Sequence, residues 1–355
     1  MPSPYENVLF VGPHHKNHRG GIGAVLEIYA RHITPFKYVP TLAYQNKFYE
    51  LFFFTFSLIR IFFKLLTDRK IRIVHIHGAK DGSIFRKFFV CFIAKKIFRK
   101  KIIFHIHAGA FDEKYLGGGK LYRAMCRFLV NNSSALIVLS NKWDNFFRSN
   151  FRIRRLVVLR NPVERRMDNY SVTNNNELQH YLFLGRIADH KGIFDLVQLV
   201  IDEQGQLRGK CKFLVGGNHE VDRFKKIVSD NNITDLAEYI GWVQEEDKDR
   251  FYKSCNYFIL PTYEEAMPMT ILEAFSYAKP VISTPVGSIP EILEHDYNGL
   301  LFEPGDMPAL KKLILETLHN PDLEKRLGNN ALTKATEFYP ATIKQELEKL
   351  YAEIV

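Results

Sequence analysis

The chain has 355 residues, 46% of them apolar and 25% charged, a balance that excludes disordered, fibrous and collagen-like classes. A single core stops growing below that length, so two domains are expected. Forty-nine basic against 39 acidic residues leave a net charge of +10, which favours an anionic partner without naming it.

The N-terminal run "MPSPYENVLFVG" goes straight into a strand pattern with neither a basic n-region nor a signal-peptide apolar stretch. The cysteines, Cys91, Cys126, Cys211 and Cys255, have no short zinc or redox spacing. Together these features predict reduced thiols and a cytoplasmic location. "HHKNH" at 14–18 reads as a polar loop, and "GGIG" at 20–23 as a turn that lacks the full dinucleotide fingerprint.

Residues 48–66, "FYELFFFTFSLIRIFFKLL", hold seven Phe, but the longest uncharged run is nine residues, half of the roughly 18 needed to cross a bilayer. Residues 85–101 carry seven Lys or Arg and no acid, interleaved with Phe and Ile at helical spacing. Such a basic amphipathic helix suits an anionic membrane surface, and the chain is expected on the inner face of the membrane as a peripheral protein. Two core helices with snorkelling lysines are the plainer alternative, and both readings stay open. A nucleic-acid partner is disfavoured, because no RNA- or DNA-binding module accompanies the charge.

Strand-like runs alternate with helical ones from "NVLFVG" to "SALIVLS", and again from "HYLFLG" to "PVISTPV". That order predicts an α/β fold of two facing Rossmann-like, doubly wound domains, with ligands beyond the C-terminal strand ends. The polar stretch around 164–179 breaks the rhythm. The expected division is an acceptor-binding domain over 1–165, a linker over 166–179, a nucleotide-sugar domain over 180–339 and a final helix over 340–355.

"EEAMPMTILEAF" at 264–275 sets Glu265 and Glu273 eight positions apart. One continuous helix would leave them about 80° apart, off a common face. Pro268 instead suits a helix start, with Glu265 in the entry loop and Glu273 more than one turn in. The free amides of Met269 and Thr270 and the positive dipole end then form an anion site between two carboxylates. A nucleotide sugar matches it, with its diphosphate in the middle and hydroxyl-bearing rings on either side. Upstream, "YLFLGRIADHKG" predicts a strand, a turn at Gly185, and Arg186 and Lys191 beyond the strand end, where both cations would stabilise a departing diphosphate.

The block 257–306, with "RGGIGAVLEIYARHI", "GRIADHKG", "YIGWV" and the C-terminal "ALTKATEFYPATIKQELEKLY", resembles the family-four retaining glycosyltransferases of the GT-B fold, the E-x7-E group. The resemblance implies that Glu273 binds ribose hydroxyls, Glu265 contacts the transferred sugar, and Arg186 and Lys191 bind the diphosphate. It also implies that His107 of "FHIHAG" faces the reacting sugar, that the loop of Gly20, Gly21 and Gly23 closes over the cleft, that Val243 lines the base pocket, and that the last helix crosses back to the first domain. Two positions depart from the family pattern, Ala266 and Pro268 standing where glycine is common. A left-handed backbone at Ala266 would cost about 1 kcal/mol.

The function expected is transfer of a sugar with retention, without metal or other cofactor, from a nucleotide-diphosphate sugar to a glycan or lipid-linked acceptor in polysaccharide biosynthesis. A nucleotide-sugar epimerase of the same fold is the rival enzyme, and a membrane- or nucleic-acid-binding protein on a vestigial enzyme fold the rival class. The His75/His77 and His105/His107 pairs share strand faces and raise a zinc reading, which the lack of a nearby acid or cysteine set weighs against. The D-x-D of "EEDKD" at 245–249 reads as acids complementing a first helical turn. Neither a nucleophilic serine elbow nor a Cys–His pair is legible.

Overall fold

The computed structural model describes residues 3–16, 20–43, 46–168, 178–318 and 320–354. His18 of the histidine-rich run and residues 169–177 of the expected linker lie outside them. Two compact units form, residues 1–163 with 338–355, and residues 164–337.

The first unit is built on β1 (Val8–Gly12), β2 (Tyr38–Pro40), β3 (Ile73–Gly78), β4 (Lys101–Ile106), β5 (Ala135–Val138) and β6 (Leu156–Val158), in the order β2-β1-β3-β4-β5-β6 with every pair parallel. The second has β7 (Gln179–Ile187), β8 (Cys211–His219), β9 (Ala237–Gly241), β10 (Tyr257–Leu260), β11 (Val281–Ser283) and β12 (Gly299–Leu301), in the order β12-β11-β10-β7-β8-β9, again all parallel. Helices on both faces explain why β1, β3, β5, β10 and β11 are buried at every position.

Alternation along β3 and β4 gives the first sheet two unlike faces. Val74, Ile76, Ile102 and Phe104 join Ile61 and Leu65 of helix Lys47–Thr67 and Ile84 and Val90 of helix Gly82–Phe92 in one apolar core. The other face carries His75 and His77 on β3 beside His105 on β4, with His77 and His105 in register. The His75 and His77 rings stack at 4.4 Å between centroids, and those of His77 and His105 meet tilted at 4.9 Å. Phe10, Tyr29 and Tyr351 close this layer. Tyr351 belongs to the final helix, Pro340–Ile354, and its hydroxyl lies 2.6 Å from His75 Nδ1.

The expected basic helix is shorter than 85–101. Helix Gly82–Phe92 passes into a π-helical turn at Ile93–Ile97, and Lys101 already opens β4. Lys87 is buried, not a surface cation: its ammonium donates to the Thr41 hydroxyl, and burial pulls it well below the usual lysine range.

Burial also keeps the histidine layer neutral. It lowers His75 to about 3 and holds His77 and His105 well below the ordinary imidazole range, with neighbouring imidazoles adding to the effect. Because these folded values lie under the unfolded one, the unfolded chain takes up protons first as pH falls. The stability of this unit is therefore full above pH ~6.5 and falls progressively as pH drops below it, by about 1.4 kcal/mol per pH unit per histidine. Urea titrations followed through Trp143 in a Trp242→Phe background should show this slope, and His105→Leu should reduce it by one histidine's share. An unchanged slope in that variant would contradict the neutral buried layer.

Candidate functional site

In the second unit, β10 ends at Leu260 and the chain forms a loop before helix Met269–Ser276. The loop is tied down from beneath. The Thr262 hydroxyl bonds the carbonyls of His190 (3.2 Å) and Glu264 (3.1 Å), and the Tyr263 amide donates to His190 O at 2.9 Å. Two glycines permit its close packing. Gly192 has φ +67° and a Cβ there would sit 1.8 Å from Pro261 O, while Gly287, at φ +63°, lies equally tight on the Glu265 carbonyl.

Pro268 is the N-cap, in extended conformation, and the helix begins at Met269. The Pro268 carbonyl accepts from the amides of Ile271 and Leu272. Those of Met269 and Thr270 donate to no group among the described residues, so two N–H groups stand open at the positive end of the helix. Ala266 is not left-handed, so alanine carries no backbone cost there.

On one side of this tip, Lys191 Nζ donates to Glu265 Oε1 at 2.6 Å and to the Glu264 carbonyl at 2.9 Å, both side chains being about six-sevenths buried. Lys191 sits in the 3-10 turn Asp189–Lys191, after β7 and before helix Ile193–Asp202. Gly185 and Arg186 differ from expectation. β7 runs through them to Ile187, Gly185 pairing with Gly217 and Arg186 with Asn218, so the turn falls at Gly192 instead. The Arg186 side chain is exposed and donates to His219 Nε2 at 3.2 Å. Among the described residues it shares no partner with Lys191.

Glu273, one turn into the helix, belongs to a second network. Its Oε1 lies 2.6 Å from Lys248 Nζ, and its Oε2 accepts from the Tyr252 hydroxyl at 3.0 Å. Lys248 also reaches Glu245 Oε2 at 3.0 Å. Glu245 pairs with Arg166, and Asp249 takes the Tyr277 hydroxyl and Lys253. Burial pulls the Lys248 ammonium down, but Glu273 and Glu245 outweigh it and hold its affinity for protons above the usual lysine value. Lys248, Tyr252, Glu245 and Arg166 were not among the site residues the sequence pointed to, the run at 245–249 being read as acids of a first helical turn. The i,i+3 spacing of Glu245 and Lys248 is the one local signal, since it places them together on helix Glu245–Ser254. Asp249 of the D-x-D is occupied by these bonds. Val243 lies between β9 and that helix, its Cγ2 over Gly216 of β8.

In the first unit, Gly21 and Gly23 form the first turn of helix Gly21–His32, with Gly20 as its cap. His107 follows β4. Its Nε2 lies 2.9 Å from His77 Nδ1, and burial lowers it to about 3 against a raising contact from Asn161, so it is a neutral imidazole. Among the described residues, His75, His77 and His105 offer ring nitrogens within 4.8 Å of one another, a set of the size a metal ion needs. The charges acting on them are other imidazoles and Lys87, with no carboxylate to offset a buried dication.

Two family descriptions match the chain in succession: "Glycosyltransferase Family 4" over residues 10–166 and "Glycosyl transferases group 1" over residues 168–334. An uncharacterized glycosyltransferase of Methanocaldococcus jannaschii is 27% identical over 232 residues, 65% of this chain and 63% of that one; the match thus spans under two thirds of that relative's length. Among solved structures, sucrose-phosphate synthase of Thermosynechococcus elongatus superposes with a TM-score of 0.75 at 15% identity, over 98% of this chain and 99% of the other. The HepE protein of Anabaena in complex with UDP does so at 0.74 and 16% identity, over 98% and 100%. The two parallel sheets with their flanking helices are those of the GT-B fold, and the chain belongs to glycosyltransferase family 4.

Proposed function

We propose that the chain moves a sugar, with retention and without a metal ion or other cofactor, from a nucleotide-diphosphate sugar to a glycan or lipid-linked acceptor in polysaccharide assembly. The observation that carries this reading is the open tip of helix Met269–Ser276, its two undonated amides lying between Glu265 and Glu273 in sequence, with Lys191 held at the entry loop.

In this reading the diphosphate takes the amides of Met269 and Thr270 and the Lys191 ammonium, and Arg186 turns from His219 to add a second cation near Gly185. Glu273 accepts the ribose hydroxyls, while Lys248 and Tyr252 hold its carboxylate in place. Val243 lies against the base. Glu265 takes a hydroxyl of the transferred sugar. The bond from the anomeric carbon to the diphosphate oxygen breaks with its electron pair leaving on that oxygen. The acceptor oxygen bonds the same face of the carbon, and its proton passes to the departing phosphate. Catalysis then rests on fixed donors aimed where charge develops. The acceptor is assigned to the first unit. Nucleic acid has no part in this reading.

Family membership and a structural neighbour solved with UDP support the donor class. Removing the carboxylate in Glu273→Ala should weaken nucleoside diphosphate binding in calorimetry by roughly 10- to 100-fold, the worth of charged hydrogen bonds of about 1.5–3 kcal/mol. Glu265→Ala should leave that affinity within about threefold and lower kcat instead. Equal, unaltered kinetics in both would remove the assignment. Lys191→Ala should cost roughly 100-fold or more in kcat with radiolabelled donor, while EDTA should leave the wild-type rate unchanged. Sugar inverted at one carbon but never moved to an acceptor would instead identify an epimerase.

A further inference from the structure

Helix Lys47–Thr67 is apolar on two sides, and the protein covers only one of them. Phe54, Ser57, Ile61 and Leu65 are buried against the first unit. On the outer side, Phe48 is 89% exposed, Phe52 72%, Phe56 51%, Ile59 49%, Phe63 56% and Leu66 53%. Their steps of three and four residues align them as one stripe about 27 Å long. Water-facing apolar stripes of that length mark an interaction surface.

On the neighbouring helix Phe85 and Phe92, with Ile97 just beyond, are also about half exposed. Below the exposed side, ring contacts hold the helices together, Phe54 with Phe89 at 6.4 Å, Phe89 with Phe85 at 4.9 Å and Phe62 with Phe98, just after the π-helical turn, at 5.1 Å. Cations are carried on the same stretch of chain, Lys96 with its ammonium 5.7 Å over the Phe128 ring. Arg60 and Lys64 lie on the first helix, and Lys95, Lys96, Arg99 and Lys100 on the π-helical turn and the loop after it. Burial and then the crowd of Arg154 and Lys101 lower Lys95, as expected of cations that lack a counter-ion. Lys100 does donate to the Ile71 carbonyl, and Asp68, the acid at the helix end, is already paired with Lys37.

We infer that this outer stripe, with Phe85, Phe92 and Ile97, lies in the interfacial layer of an anionic lipid bilayer, its cations meeting the headgroups. The occupant follows from the charge. A second copy of the chain would bring the same cations face to face across a two-fold axis, and a nucleic acid would use the cations but has nothing to cover so long an aliphatic and aromatic stripe. A bilayer supplies both the apolar depth and the negative rim. Among the described residues no helix is long and apolar enough to cross a membrane, so the helix lies along the surface. The inference concerns lipid alone and holds whatever donor the second unit takes.

Sedimentation with vesicles of equimolar phosphatidylglycerol and phosphatidylcholine, without any donor, tests it on the full chain. Wild type should bind, and vesicles of phosphatidylcholine alone should bind at least tenfold less. Phe52→Ser, Phe56→Ser and Phe63→Ser combined should lose at least tenfold in partitioning at unchanged circular dichroism and Tm, these side chains being outside the core. Lys96→Glu with Arg99→Glu should abolish the preference for the anionic lipid, each cation being worth about fivefold. In Phe56→Trp the fluorescence should shift to the blue on binding and be quenched by brominated acyl chains. Partitioning equal in wild type and the triple variant, or no quenching in Phe56→Trp, would overturn the inference. So would a stripe whose loss turns a dimer into a monomer, or removes RNA binding, with no binding to vesicles.

Discussion

A helix that starts at Pro268 is the constraint on which the account of the second unit depends. Proline cannot donate, its carbonyl is taken by Ile271 and Leu272, and the amides of the two residues after it are left without an acceptor among the described residues. Everything around that tip holds it in place. Thr262 and Tyr263 fasten the preceding loop to the His190 carbonyl, and Gly287 admits the Glu265 backbone where any side chain would collide. A positive end, kept open by backbone geometry and framed by acidic residues, is a place for an anion that also carries hydroxyls.

The two carboxylates are each matched to a lysine, yet in different settings. Lys191 reaches Glu265 across a loop, from the turn that follows β7. Lys248 reaches Glu273 from a neighbouring helix and is itself tied through Glu245 to Arg166, close to the boundary of the unit. In each pair the partly buried groups lie 2.6 Å apart, and removing one leaves the other uncompensated. The paired arrangement therefore holds both carboxylates oriented before any ligand arrives, which lowers the cost of ordering them on binding.

Much of the architecture is legible in the sequence because it rests on local rules. Runs such as "NVLFVG" and "YFILPT", buried on both faces, declare parallel strands, and their alternation with helical segments declares two doubly wound sheets. The helix start after "EEAMP" is local in the same way. Lys248 and Tyr252 are not, because their meeting with Glu273 arises from the packing of two helices that periodicity treats as independent. Gly185 misleads for a related reason. Glycine usually signals a turn, but here it sits in β7 opposite Gly217, where a Cβ on Gly217 would reach within 1.9 Å of the Gly185 carbonyl, so close strand approach and not chain reversal is what it serves. Lys87 belongs to a run of basic residues yet turns inward to Thr41, an outcome that depends on tertiary contact alone.

The most direct measurement is an amide-resolved NMR titration of the isotope-labelled chain with a nucleoside diphosphate. The account predicts that the Met269 and Thr270 N–H resonances shift and saturate together with the ligand. Saturable binding that leaves both resonances in place would contradict it, since the anion would then be held somewhere other than the helix tip.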